Sequence, residues 1–220
     1  MSFEQALAAV KVLANIHAVW WEKVRTEELE WIPSMVGPRI EYVDQVLPQI
    51  YPVFAEAFAS TLPEGGAELT EQFSRSYLSL NRQLAERAPW TLAHQDYRVE
   101  NMLFGDVNRD QVAVIDWQGI GRGPGAYDLA YLLGGSMDTG LRRTHERELV
   151  AAYQARLADN GVEDYSVESA WEDYGFAHLL GGLATSIFAG GTLDLSNERA
   201  VELITMMANR HVTAALDHGG

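Results

Sequence analysis

From Phe3 onward, apolar residues return every three or four positions: Phe3, Leu7, Val10, Ala14, His17, Trp21 and Val24, with Ala6, Leu13 and Trp20 widening the stripe. That period is one face of an α-helix, here from Phe3 to about Thr26. His17 lies on the apolar face. It reads as a core histidine with one hydrogen-bond partner, since no other metal-type ligands cluster beside it. Trp31-Ile32-Pro33 and Gly37-Pro38 mark a loop. The helical period resumes at Ile40, Val43, Leu47, Ile50, Phe54 and Phe58. Pro48 and Pro52 interrupt it, which predicts a kink or two short helices. After the turn Pro63-Glu64-Gly65-Gly66, the positions Leu69, Phe73, Tyr77, Leu80 and Leu84 predict one more helix, stopped before Pro89.

Between Trp90 and Leu133 the pattern changes. Thr91 to Ala93, Met102 to Phe104 and Val112 to Ile115 are brief apolar pieces bounded by turn formers, and read as strands. Gln118 to Gly125 carries glycine at 119, 121, 123 and 125 and reads as a mobile connection. A phosphate-cradling loop is the alternative, without the strand, turn and helix context of such a motif. Tyr127 to Leu133 is a short buried helical piece. Leu141 to Ala158 is the next helix, with Asn160-Gly161 as its stop. Ser166 can cap a helix running through Trp171 to Ile187, where Gly181-Gly182 either permits close packing or marks a break. Ser196 opens the last helix, in which Val201, Ile204, Ala208 and Val212 share a face. These elements predict a mainly α fold with small β hairpins, one domain over residues 1–220 with its core at about 90–133.

Composition narrows the classes. A chain of 220 residues that is 47% hydrophobic can bury one sizeable core. It has no cysteine, which excludes a disulfide framework and a cysteine metal site. The N-terminus lacks the basic and apolar blocks of a secretory signal, and a cytoplasmic location is expected. No apolar run is long enough to span a membrane. A formal net charge of -15 argues against nucleic acid as a partner. An acidic surface could draw a cationic substrate, although its commoner meaning is solubility.

The candidate chemistry sits in the strand-rich stretch. Asp96 is followed five positions later by Asn101, and Asp116 ends the run Val112-Ala113-Val114-Ile115. All three stand at strand ends or in the loops beside them, where a side chain is held by a rigid neighbour and still reaches solvent. Mg²⁺ prefers oxygen ligands and takes one or two carboxylates plus substrate phosphates, so Asp116 with the amide oxygen of Asn101 would suit it. Asp96 is then free to accept a proton from an attacking hydroxyl. That division of labour is the kinase template, and H-x-D-x-x-x-x-N followed by a strand ending in Asp is its catalytic-loop signature. The alternative is that Asp96 and Asn101 are turn residues and Asp116 caps a strand.

The stretch resembles the catalytic core of the aminoglycoside phosphotransferase and choline kinase-like family, relatives of the protein kinases. The matching pieces are His94-Gln95-Asp96-Tyr97-Arg98-Val99-Glu100-Asn101, Val114-Ile115-Asp116-Trp117 and Tyr127-Asp128-Leu129-Ala130. The run Leu13 to Ala18 is similar to the helix that follows the hinge into the larger lobe of that family. The resemblance implies that Asp96 is the catalytic base, that Asn101 and Asp116 bind Mg²⁺, and that Asp128 is a buried brace of the catalytic loop. His94 is expected to position that loop. Gln95 departs from the family, which usually has Gly there. The implied activity is ATP-dependent, Mg²⁺-assisted phosphoryl transfer to a hydroxyl of a small molecule, with the acceptor unknown. Family members often hold substrate with acidic residues of the later helices. Glu163, Asp164, Glu168, Glu172 and Asp173 are candidates, with a solvated helix face as the alternative.

A kinase of this type also needs a glycine-rich hairpin over the phosphates and a strand lysine paired to a helix glutamate. Before the core, the only lysines are Lys11 and Lys23, both in the first helical stripe. The resemblance therefore covers only the larger, C-terminal lobe of the protein kinase-like fold. The 220 residues are expected to be a fragment, the product of a shortened frame, or a stand-alone lobe. A non-catalytic binding module derived from such a kinase is the second functional reading. The face left by the missing lobe is expected to be apolar, built from Trp20 or Trp21 and the segment around Trp90, and to support self-association.

Overall fold

The computed structural model describes residues 1–105 and 111–220. Among these are nine α-helices and two antiparallel two-stranded sheets, the mainly α fold with small hairpins that the periodicity predicts. Helix α1 (Phe3–Trp20) opens with a capping box: Ser2 Oγ accepts from Gln5 N–H and the Gln5 side chain accepts from Ser2 N–H. It ends at Trp20, short of the expected Thr26. Glu22 turns the chain there with φ 54°. Its N–H donates to the Trp90 carbonyl at 2.7 Å, and its carboxylate accepts from Trp90 N–H.

Helix α2 (Pro38–Phe58) runs as one element through Pro48 and Pro52, against the expected split into two short helices. Both prolines are exposed, while Leu47, Phe54 and Phe58 on the same helix are buried. The carbonyls they leave unpaired can face water, and packing of the opposite face holds the helix together. The reverse happens next. The single helix expected over Leu69 to Leu84 is two, α3 (Gly66–Ser74) and α4 (Tyr77–Arg87). Ser74 and Ser76 hydroxyls donate to the carbonyls of Glu71 and Gln72, competing with continuation of the helix. Asp44 then accepts from Leu78 N–H at 2.8 Å and satisfies a first-turn donor of α4.

Strand β1 (Trp90–Ala93) pairs with β4 (Gly121–Pro124), and β2 (Met102–Phe104) with β3 (Val112–Val114). Within the glycine-rich segment expected to be a mobile connection, Gly121–Pro124 is therefore strand, preceded by a 3₁₀ turn over Trp117–Gly119. Its glycines serve close approach. A Cβ on Gly121 would lie 1.8 Å from Gln95 Nε2, and one on Gly123 2.3 Å from Met35 Sδ. Arg122 between them donates through Nε to the Ile32 carbonyl at 2.9 Å and through Nη1 to that of Val24 at 3.1 Å. The segment before α2 is thereby fastened over the sheet, with Val24, Ile32, Ala85, Trp90 and Leu92 in one apolar cluster. Trp90 is only 9% exposed and lies under the Arg25 guanidinium, 4.3 Å from its ring centroid. Trp21 packs on Tyr165. The tryptophans expected to form an open apolar face are covered by their own chain, Trp90 fully and Trp20 and Trp21 in part.

Helix α5 (Ala126–Ser136) is buried throughout except at Gly135, and packs on α1, α6 (Thr139–Asp159), α7 (Val167–Ala177), α8 (Gly181–Thr192) and α9 (Glu198–Asp217). Ser166 caps α7 as expected, accepting from Ser169 N–H at 3.0 Å. The helix does not continue to Ile187. It breaks at Leu180 (φ -128°, ψ -114°), because a Cβ on Gly181 would lie 1.9 Å from the Tyr127 hydroxyl and the chain must restart against that ring. Asn197, not Ser196, caps α9. Of the acidic run, Glu163, Asp164, Glu168 and Glu172 are exposed. Asp173 is buried and accepts from Tyr165 O–H and Arg87 Nε, each at 3.1 Å. No helix among the described residues is long and apolar enough to cross a membrane.

His211 fills the gap that Gly135 and Gly182 leave between α5 and α8; a Cβ on Gly182 would lie 2.1 Å from its Nδ1. Burial, with Arg210 adding, lowers its pKa to about 4, and burial lowers that of His178 as well. Protonation is thus easier in the unfolded chain. The stability carried by neutral His211 is complete above the unfolded value of about 6.5 and is lost as pH falls toward about 4. The loss is on the order of 3 kcal/mol. Urea unfolding between pH 7 and 4 should show this decline, and His211→Gln should flatten it. An equally steep acid limb in the variant would remove His211 as its cause.

Candidate active site

Asp128 stands in the first turn of α5 and is fully buried. A carboxylate without water must be given donors. His94 N–H donates to its Oδ2 at 2.6 Å and Gln95 N–H to its Oδ1 at 2.8 Å. His17 Nε2 lies 3.3 Å from Oδ2, and His17 Nδ1 lies 2.7 Å from the Tyr153 hydroxyl. Burial holds the Tyr153 pKa well above its usual range, so the hydroxyl keeps its proton beside His17 Nδ1. His17 therefore has two partners rather than the expected one, and carries the brace back to α1 and α6. Thr91 Oγ1 also donates to the His17 carbonyl at 2.8 Å.

The loop held by Asp128 is bent. Gln95 has φ 66°, in the left-handed region that glycine adopts without cost. The departure from Gly at this position thus meets a backbone that favours Gly. The Gln95 side chain accepts from Arg39 Nη2, while Arg39 Nη1 donates to the Gly119 carbonyl at 3.4 Å.

His94 is buried and spans the loop and the end of β3. Its Nε2 lies 2.9 Å from the Ile115 carbonyl, and its Nδ1 accepts from Asp96 N–H at 3.3 Å. A neutral ring with the proton on Nε2 satisfies both bonds. Its face tilts against Trp117, with centroids 4.7 Å apart.

Asp96 and Asn101 meet directly. Asn101 Nδ2 donates to Asp96 Oδ2 at 2.8 Å and to the Asp96 carbonyl at 2.9 Å. Asp96 Oδ1 is 3.2 Å from Arg98 Nε, and about a third of the Asp96 side chain is exposed. Tyr131 lies beside Asp96; burial, opposed by Thr185 and aided by Asp96, pushes its pKa up to about 12. Ile115 N–H donates to the Asn101 carbonyl at 3.0 Å, which places Asp116 one residue past that bond. Asp116 is exposed and left-handed (φ 63°, ψ 57°), turning the chain from β3 into a short 3₁₀ turn. The structure thus gathers Asp96, Asn101 and His94 into one bonded unit and sets Asp116 at its edge. Arg98, Arg39, Tyr131 and Tyr153 also belong to this neighbourhood and were not singled out from the sequence. Only Arg98, two positions after Asp96, carried a local signal.

Asp128→Ala would orphan the two loop N–H groups and His17 Nε2. It should cost about 3–5 kcal/mol and speed amide exchange at His94 and Gln95. A cost below about 1 kcal/mol, within the range of ordinary surface substitutions, would show that the loop holds without the carboxylate.

A crystal structure of a candidate aminoglycoside phosphotransferase from Ralstonia eutropha JMP134 superposes with a TM-score of 0.55 at 17% sequence identity, covering 99% of this chain and 67% of that one. At that identity the likeness concerns the fold. No curated protein shows significant sequence similarity to the chain. The model of the ecdysteroid kinase-like family matches residues 1–163, which include every element of the candidate site named above except Thr185. The chain belongs to the ecdysteroid kinase-like family.

Proposed function

We propose that these residues form the catalytic floor of a small-molecule phosphotransferase that is ATP-dependent and Mg²⁺-assisted, with Asp96 as the base. The carrying observation is the bond from Asn101 Nδ2 to Asp96 Oδ2. It couples the group that would take a proton to one that would hold a metal. With Nδ2 committed to Asp96, the amide offers Oδ1 as its ligand atom. Together with the exposed Asp116 carboxylate this is a hard oxygen donor set that fits Mg²⁺. When bound, the ion neutralises charge on the transferring phosphates.

The chain's own residues do the rest. Asp96 receives the proton of the acceptor hydroxyl and orients it for attack. Asn101 and Arg98 hold the two carboxylate oxygens, and His94 fixes the loop to β3. Leu103 and Ala113 face each other across the β2–β3 pair. With Ile115 they give an apolar shelf beside Asn101, 60% exposed at Leu103 and 43% at Ile115. A flat nucleotide base would fit such a shelf. The acceptor would enter by the crevice lined by Arg98, Tyr131, Leu203, Met206 and His211. Its partly apolar wall favours alcohols with hydrocarbon bodies.

For the base, Asp96→Asn should lower transfer on the order of 10²-fold or more when these residues are joined to a lobe that clamps the phosphates, with folding unchanged. Turnover within a few-fold of the unsubstituted enzyme would remove Asp96 from the role.

For the nucleotide, the 220 residues by themselves are expected to bind ATP with a Kd of millimolar order or weaker, about -4 kcal/mol. Affinity should depend on Mg²⁺, and Asp116→Ala should abolish that dependence. Calorimetry with and without Mg²⁺ reads both. An unchanged dependence in the variant places the ion elsewhere. Saturable binding of a hydroxyl compound without transfer in the two-lobed enzyme would favour a binding module instead.

A further inference from the structure

Three other elements converge on a second cluster of ligating side chains. Glu146 projects from α6, His178 follows the last turn of α7, and His218 follows the last turn of α9. One ligand atom of each lies within 4.8 Å of those of the other two. None belongs to the site described above.

The surroundings are built for a carboxylate held in a fixed pose. Glu146 Oε2 accepts from Tyr174 O–H at 2.8 Å and from Arg142, and lies 3.4 Å from His218 Nε2. Arg142 is only 1% exposed, and its other end pairs with Asp217, which Arg143 also engages. The two arginines are therefore matched by two carboxylates, and the cluster carries no excess of either charge. Such outer bonds orient a ligating carboxylate.

His178 is the unexplained member. It is 2% exposed, and neither of its ring nitrogens has a hydrogen-bond partner among the described residues. Its ring stacks on His218, with centroids 5.2 Å apart, and meets Tyr174 edge-on at 4.5 Å. A buried imidazole without a partner is costly, and an ion or a water is the usual resolution.

We propose that Glu146, His178 and His218 are the protein ligands of a Zn²⁺ site that ties α6, α7 and α9 together. Two imidazoles and one carboxylate form a donor set of borderline softness, suited to Zn²⁺ and poor in the oxygens that Mg²⁺ or Ca²⁺ require. A solvent molecule completes the tetrahedron. None of its ligands belongs to the catalytic loop, and all three stand on or just after helices, so it acts on the stability of the helical half.

The test uses the whole chain, stripped with a chelator and titrated with ZnCl₂. One Zn²⁺ per chain should bind, the melting temperature should rise with free Zn²⁺, and excess Mg²⁺ should not compete. His218→Ala and Glu146→Gln should each weaken binding roughly tenfold or more, while His145→Ala, whose half-buried ring packs on Phe3 and not in the cluster, should not. His218 ends a helix and is the safer variant; X-ray absorption of the zinc-loaded chain, showing two imidazoles and oxygen, reads the ligands without any substitution. No saturable binding, equal affinity in His218→Ala and Glu146→Gln, or loss of binding in His145→Ala would each overturn the site and leave a buried ion-pair network.

Discussion

The candidate site depends on one buried carboxylate. Asp128 has no access to water, so its charge is tolerable only if the loop turns its amides inward. Two successive N–H groups, at His94 and Gln95, do so, and the left-handed φ of Gln95 accompanies their convergence on one anion. The strain at Gln95, roughly 1–3 kcal/mol for a non-glycine residue in that region, is offset by two charge-assisted hydrogen bonds. His17 and Tyr153 extend the same arrangement into the core. Loop, α1, α5 and α6 are thereby fixed against each other by one side chain.

From this brace the order passes outward through a closed circuit. His94 reaches the Ile115 carbonyl, Ile115 N–H reaches the Asn101 carbonyl, and Asn101 reaches Asp96, whose own N–H returns to His94. The two bonds of Ile115 tie the loop to the end of β3, and the two of Asp96 close the circuit locally. Asp116 therefore emerges from the strand end at a place set by the loop that holds Asp96. A hydrogen-bond circuit of this kind restricts side chains that are themselves partly exposed. It lets reactive groups face solvent without losing their orientation.

The helices and three of the strands were legible because their apolar periods are strong. The errors fall where a tertiary contact overrides the local rule. Pro48 and Pro52 should break a helix but sit on its wet face, so α2 continues. The apolar period runs through Ser74 to Ser76 and through His178 to Leu180, yet the chain breaks at both, at hydroxyl–carbonyl bonds in one case and against Tyr127 in the other. Gly121-Arg122-Gly123-Pro124 has the composition of a loop and forms a strand, because Gln95 and Met35 occupy the space where side chains would stand. In the site, the spacing of Asp96 and Asn101 was readable, and the two residues are bonded. What holds them was not: His17 is 111 positions from Asp128, and nothing local marks it as that residue's partner.

Gln95 shows how such a network absorbs a non-glycine residue at a left-handed position. Glycine would take φ 66° without strain, but it would leave Arg39 without an acceptor on the loop. The glutamine side chain lies across Gly121 and meets Arg39, which also holds the Gly119 carbonyl. The loop is therefore tied to α2 and to the approach of β4 as well as to α5. Replacing flexibility by a bonded side chain exchanges backbone strain for a contact that orders the segment after Asp116. The β4 strand that follows is paired with β1 and fastened by Arg122, and Gln95 packs in the space its Gly121 leaves open.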